Sequence, residues 1–204
     1  NFDSDLHKYA LEASTGYTKY PVEKNVAKRI YNYKIRPKLI YLVRNPFDRI
    51  ESHFNFMHTH KSSKFNIIDE NILNISRYSL QLEQFRTFFP RKDILVLMFD
   101  RLINNPQSLL KETYDFLNLS KYVYPTEYSI SNRTETISKI EHNAKKLKSF
   151  IPNVPLIRKI GISVRNLLRK ANPQTKRYLT GSEKKFIYKE LKDDMKQLHE
   201  NYQI

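Results

Sequence analysis

Arg44, Arg49 and Ser52 stand in one short run, RNPFDRIESHF from Arg44 to Phe54, whose residue types and spacing suit the capture of a phosphate. Arg44 carries a planar fork of N–H donors that matches phosphate oxygens. Asn45 is a favoured N-cap, and Pro46 fits the first helical position, where its missing N–H costs nothing. Asp48 falls in the first turn, where a negative charge suits the helix dipole. A helix starting at Pro46 puts Phe47, Ile50, Phe54 and Met57 on one face. Arg49, Ser52 and His53 then lie roughly opposite, at about 100° per residue. Arg44 and Ser52 would together bracket a phosphate beside the helix. A plainer arrangement uses the same residues: Arg44 and Arg49 pair with acids such as Asp48 or Glu51, and Ser52 is solvated.

Position matters to this chemistry, and the flanking elements set it. KLIYLVR, Lys38 to Arg44, is a near-continuous apolar run after Pro37. Such a run predicts a strand covered on both faces, as in a parallel sheet, with Arg44 at its carboxyl end. Ligands of open parallel α/β sheets bind at that end. Asp93 to Phe99, DILVLMF, reads as a second strand, and His7 to Glu12 as a weaker one. Three- and four-residue apolar steps predict helices over Pro21–Tyr33, Pro46–His58, Ser76–Phe89, Pro106–Leu119 and Ser182–Tyr202. Strands alternating with helices indicate an α/β domain with a parallel sheet. Residues 120 to 155 read as loops with one helix between them. Nothing divides the chain, so residues 1–204 form one domain.

Composition narrows the function further. The chain has 204 residues, enough for one domain with a hydrophobic core. It has no cysteine, which removes disulfides and thiolate metal sites and suits a reducing compartment. No apolar run is long enough to cross a bilayer. Lysine and arginine outnumber acids 36 to 21, and the net charge of +15 favours anionic ligands. Abundant Lys, Asn, Ile and Tyr also point to an AT-rich coding bias as a source of that charge. Only Gly16, Gly161 and Gly181 occur, so no glycine-rich phosphate loop is present. His58 and His60 form H-x-H without a third ligand and read as a solvated helix end, so no metal is expected. The basic residues Lys145, Lys146, Lys148, Arg158, Lys159, Arg165, Arg169 and Lys170 read as a solvated face, with a surface for an anionic glycan as the functional alternative.

The string R-N-P-x-x-R-x-x-S resembles the 3'-phosphate-binding motif of sulfotransferases that use 3'-phosphoadenosine 5'-phosphosulfate (PAPS). KLIYLV resembles their central strand. EASTGYTKYP, Glu12 to Pro21, is similar to the E-x-S-P-x-Y segment of bacterial and heparan-type members, with Ala13 in place of a frequent lysine and Thr15 in place of a frequent proline. Ser76 to Leu119 is similar to their following stretch: a Y-x-x-x-L helix, F-P, a strand, N-P and a final F-L-x-L. The last helix resembles theirs more weakly.

This resemblance implies a P-loop NTPase-like three-layer fold, a central parallel sheet flanked by helices. It implies sulfuryl transfer from PAPS to a hydroxyl or amine of an acceptor, a carbohydrate or small metabolite, with PAP as product and no metal. Arg44 and Ser52 would hold the 3'-phosphate. Arg49 matches the second motif arginine, and Tyr78 falls where the family has a tyrosine near the nucleotide, although its helix stripe also fits core packing. Lys176 and Arg177 stand where the family has a basic loop over the nucleotide. The family's 5'-phosphosulfate loop and general base lie ahead of the E-x-S segment, so the catalytic residues are expected upstream of residue 1. The chain then reads as N-terminally truncated and inactive as given. A cytoplasmic bacterial-type enzyme is the expectation, or a Golgi-lumenal one if the source is an anchored eukaryotic enzyme. Competing readings are a P-loop kinase, a polyanion- or nucleic-acid-binding module, and an inactive nucleotide-binding remnant.

Overall fold

Two parallel strands and the helices that pack on them place the Arg44–Ser52 run. The computed structural model describes residues 3, 5, 7–60, 66–120, 122–125 and 176–204. In chain order these form α1 (Val26–Asn32), β1 (Leu39–Val43), α2 (Pro46–His60), α3 (Glu70–Ser76), α4 (Tyr78–Arg86), a 3-10 turn (Arg91–Asp93), β2 (Ile94–Met98), α5 (Phe99–Asn104), α6 (Pro106–Phe116) and α7 (Gly181–Tyr202). β1 and β2 pair in parallel, with Leu39 opposite Ile94 and Val43 opposite Met98. The result is a mixed helix and sheet structure with a small parallel sheet, consistent with an α/β class. Among the described residues no helix is long and apolar enough to cross a membrane.

Two clusters of buried side chains hold these elements. The first gathers Val26 and Ala27 of α1, Val43 of β1, Tyr78, Leu82 and Phe85 of α4, Ile94 and Val96 of β2, and Leu198 and Tyr202 of α7. The second gathers Ile50 and Phe54 of α2, Ile67, Ile72 and Leu73, and Leu179, Ile187 and Leu191 around the start of α7. Along α2, α4 and α7 the cluster residues repeat at three- and four-residue steps, which is why those faces turn inward. Met195 of α7 packs against both clusters, so one helix spans the core.

Several expectations are corrected. β1 alternates between covered and exposed residues: Ile40 and Leu42 are 39% and 45% exposed, so the strand is covered on one face and not on both. His7–Glu12 is not a strand. It is tied by side chains instead, with Lys8 Nζ donating to Asn118 O at 2.6 Å and Tyr9 OH to Leu117 O at 2.9 Å. The first helix is shorter than Pro21–Tyr33, because Asn25 takes a left-handed backbone (φ 61°) just ahead of Val26.

The helix expected over Ser76–Phe89 is α4, Tyr78–Arg86, and a short unexpected helix, α3, precedes it across a break at Arg77, whose ψ of 84° is not helical. The break is stabilised from α7. Asp194 accepts hydrogen bonds from the backbone N–H groups of Ser79 (3.0 Å) and Leu80 (2.9 Å), capping the start of α4. Arg77 itself pairs with Glu70 at 3.0 Å and Glu190 at 3.3 Å. The helices over Pro106–Phe116 and Gly181–Tyr202 match expectation to within a few residues. The basic residues from Lys145 to Lys170 and most of the loop expected over 120–155 lie outside the described residues, as do the side chains of His58 and His60.

Candidate anion-binding site

Arg44 follows β1 directly, and α2 begins two residues later. Asn45 Oδ1 accepts from Phe47 N at 3.0 Å, and Arg49 N donates to Asn45 O at 3.0 Å, so the strand turns into the helix over Arg44 and Asn45. The Tyr78 hydroxyl, reaching from α4, pins the main chain at this turn. It donates to Arg44 O at 2.8 Å and accepts from Arg44 N at 3.4 Å. Tyr78 is buried, and its ring meets Tyr41 edge-on at 6.0 Å. Both the core reading of Tyr78 and its closeness to Arg44 therefore hold in the same geometry.

The Arg44 side chain, by contrast, stays available. It is 37% exposed, its guanidinium lies 5.4 Å from the Phe99 ring, and its contact with Asp48 is a loose 3.9 Å between exposed groups. Such a pair contributes little and yields readily to a stronger anion. Ser52 is half-buried on α2, and its hydroxyl has no hydrogen-bond partner among the described residues. It lies about 9 Å along the helix axis from Pro46, at 1.5 Å per residue.

Arg49 departs from the salt-bridge arrangement. Its Nη1 donates to Ser76 Oγ at 3.0 Å, and no acid among the described residues pairs with it. Burial pushes its pKa down, opposed by the phenols of Tyr78 and Tyr41. Nor is it on an open face, because β1, α3 and α4 close around it. His53, one turn on, is pushed down to about 4, mainly by burial and then by the charges of Arg49 and Lys19. It is therefore neutral near pH 7. Burial raises both phenols, Tyr41 and Tyr78.

Residues 176–180 cross α2 as a strap. Arg177 N donates to Asn55 Oδ1 and Asn55 Nδ2 to Arg177 O, each at 2.9 Å, and Leu179 N donates to Glu51 Oε1 at 2.9 Å. The strap thus follows the Glu51–Asn55 face of α2. Lys176 is exposed there. The Arg177 guanidinium turns the other way, onto Glu183 at 2.6 Å and the Tyr178 carbonyl. Glu183 also closes a capping box with Thr180 at the start of α7.

The structure thus brings Tyr78 to Arg44 at the strand-to-helix turn, and leaves Ser52 farther along α2, where residues 177 and 179 are tied to Asn55 and Glu51. It places Arg177 in the cap of α7. Sequence reasoning did not single out the strap anchors Glu51 and Asn55, although their four-residue spacing marks a shared helix face. It also passed over Phe99 and Lys19, whose relevance depends on contacts distant in sequence. Among the described residues no group of His, Cys, Asp or Glu could hold a metal ion.

A family model described as the sulfotransferase domain matches residues 25–199, which take in β1, the Arg44–Ser52 run, α4, β2 and nearly all of α7. A match over most of the chain makes this chain a member of the sulfotransferase domain family.

Proposed function

We propose that this chain binds the nucleotide donor PAPS, and its product PAP, through a 3'-phosphate grip made by Arg44 and Ser52. The observation that carries the reading is the division of labour at Arg44: its main chain is fixed by Tyr78, while its guanidinium stays half exposed with only a loose carboxylate contact. A fixed backbone with an uncommitted fork is what a phosphate anchor needs. Ser52 offers a second donor without a competing partner. Lys176, exposed on the strap beside α2, adds a cation that can swing over the same ligand. The P-loop NTPase-like fold belongs to this proposal too, as an extension of the parallel pair β1–β2.

In this reading the enzyme transfers a sulfuryl group from PAPS to a hydroxyl or amine of an acceptor such as a carbohydrate or small metabolite. In-line sulfuryl transfer depends on positioning and charge stabilisation more than on covalent help from the protein. Arg44 and Ser52 act on the anchoring phosphate and not on the reacting sulfur. Their loss should therefore act on donor binding.

Thermal unfolding with PAP tests the proposal. PAP should raise the midpoint of the wild-type chain, without magnesium, and the rise should vanish in Arg44→Ala and shrink in Ser52→Ala. No stabilisation of the wild type by millimolar PAP would overturn it. The +15 charge favours a second reading, a polyanion-binding module. That reading predicts equal stabilisation by heparin or DNA in wild type and Arg44→Ala, lost steeply with salt.

A further inference from the structure

A groove of about 340 Å³ runs between the first turn of α2 and the side of α7. Phe47 lines it from α2, and Ile187, Leu191 and Met195 line it from α7 at four-residue steps. Ile187 and Leu191 are buried in the second cluster, so the fold itself fixes this apolar floor. Tyr188, Lys192 and Lys196 also line the groove, one residue further round the helix. All three are exposed, Tyr188 by 65%, and they form its rim. No acidic side chain lines it.

The rim continues as a row of charge. Lys185, Lys189, Lys192 and Lys196 recur at steps of four, three and four, which puts them on one face of α7, and all four are exposed. From Lys185 to Lys196 the row rises roughly 16 Å, about three turns. Among the described residues Lys185, Lys189 and Lys192 have no ion-pair partner, and Lys196 meets Glu200 only at 3.8 Å between exposed groups. Three acids of α7 are committed elsewhere: Glu183 to the cap, Glu190 to Arg77 and Asp194 to the start of α4. Like charges at these steps repel one another, so the row gains from a partner that brings negative charge. Groove and row lie side by side on the same helix. A partner that fits both carries apolar side chains in a line with acids beside them, which is an acidic amphipathic helix. A second copy of this chain fits poorly, because its net charge is +15. The chain's own residues 126–175 fit no better, being rich in lysine and arginine and poor in acids.

We propose that the groove between α2 and α7, with the Lys185–Lys196 row beside it, is a docking surface for an acidic amphipathic helix of a partner protein. The partner sets an apolar side chain against Phe47 and Leu191 and its carboxylates on the lysines. The surface includes none of Arg44, Ser52 and Lys176, so it stands apart from the donor grip and does not rest on that reading.

The probe is a fluorescein-labelled helical peptide of about five turns, with leucine at three- and four-residue steps and glutamate on both sides of that row. Its binding to the full chain is followed by fluorescence anisotropy at physiological salt. A second peptide replaces the leucines by serine and keeps the glutamates. The expected result is saturable binding of the leucine peptide and several-fold weaker binding of the serine peptide. The Kd should weaken several-fold in Tyr188→Ala and in the double variant Lys189→Glu, Lys192→Glu. It should stay near the wild-type value in Lys24→Glu, Lys28→Glu, which makes the same change of charge on and just ahead of α1, and in Arg44→Ala. The substituted side chains on α7 are exposed, so the fold survives their replacement. The proposal fails if the leucine peptide does not bind saturably, including the case in which phosphatidylserine vesicles bind and the peptide does not, which would make the row a membrane surface. It fails if the serine peptide binds equally well or if Tyr188→Ala changes nothing, since the groove then takes no part. Equal weakening by the two double variants would mean a diffuse field of charge and no docking surface. Loss of peptide binding in Arg44→Ala would place the peptide in the donor grip.

Discussion

His53 makes a prediction at the scale of a single residue. Its ordinary value is 6.5, and in the folded chain burial, then Arg49 and Lys19, push it down to about 4. Between those values the unfolded chain binds more protons than the folded one, so stability falls as pH drops through the window and is intact above it. His53 is only partly covered, and solvent screening reduces the effect to on the order of 1–2 kcal/mol. Urea unfolding in a buffer free of sulfate and carboxylate should show His53→Gln losing less stability than wild type between about pH 6.5 and pH 4. Parallel losses in the two proteins would remove His53 as the cause. Tyr78 gives a second prediction. Tyr78→Phe keeps the ring against Tyr41 but removes the donor at 2.8 Å from Arg44 O. Stability should fall by about 1–2 kcal/mol. PAP affinity should fall as well, because the Arg44 backbone is no longer pinned. A PAP Kd by calorimetry equal to that of wild type would leave Tyr78 a packing residue only.

At the scale of elements, the strap over α2 depends on the start of α7. Thr180 and Glu183 close a capping box, and Glu183 also holds Arg177. Thr180→Ala should cost about 1 kcal/mol of stability, read by urea unfolding. It should also speed amide exchange at Arg177 and Leu179, whose N–H groups bond to Asn55 and Glu51. Unchanged exchange there would show that α2 alone fixes the strap. This arrangement also shows what sequence reasoning reaches. β1, α2, β2, α6 and α7 were readable because each carries a dense apolar period bounded by Pro, Asn or Thr. The Arg44–Ser52 turn was readable because strand end, N-cap and helix start are contiguous. α3 was not, because its seven residues are too few to show a period, and the cap that sets the start of α4 comes from Asp194, far along the chain. The covering of β1 on one face was equally hidden, since an apolar strand has the same letters whether one face or two are packed. Arg49 looked like a surface ion-pair partner because Asp48 and Glu51 are its neighbours in sequence, whereas Ser76 and Tyr41 are its neighbours in space.

For the whole molecule, α7 decides whether the two clusters behave as one body. The first cluster lies under β1 and Tyr78, and so supports Arg44; the second lies under α2, and so supports Ser52. Ile187 and Leu191 enter the second cluster, Leu198 and Tyr202 the first, and Met195 touches both. Ile187 and Leu198 are 0% and 1% exposed, so each truncation to alanine leaves a cavity and should cost about 2–5 kcal/mol. The informative quantity is the pattern of the loss. If the helix joins the clusters into one cooperative unit, Ile187→Ala should lower the PAP-free unfolding midpoint seen at Arg44 and at Ser52 alike, and Leu198→Ala should do the same. Backbone amide exchange near global unfolding reads this at both positions. A variant that loosens only its own cluster would show two separable units, with the phosphate grip divided between them. If the proposed grip takes Arg44 beside the first cluster and Ser52 beside the second, it requires α7 to be docked along its full length. Accordingly, a proline at Lys192, mid-helix and outside both clusters, should break the i to i−4 ladder, cost about 3 kcal/mol or more, and weaken PAP binding without touching either phosphate ligand. Retention of wild-type PAP affinity in a folded Lys192→Pro variant would show that the two halves of the grip are held together without α7.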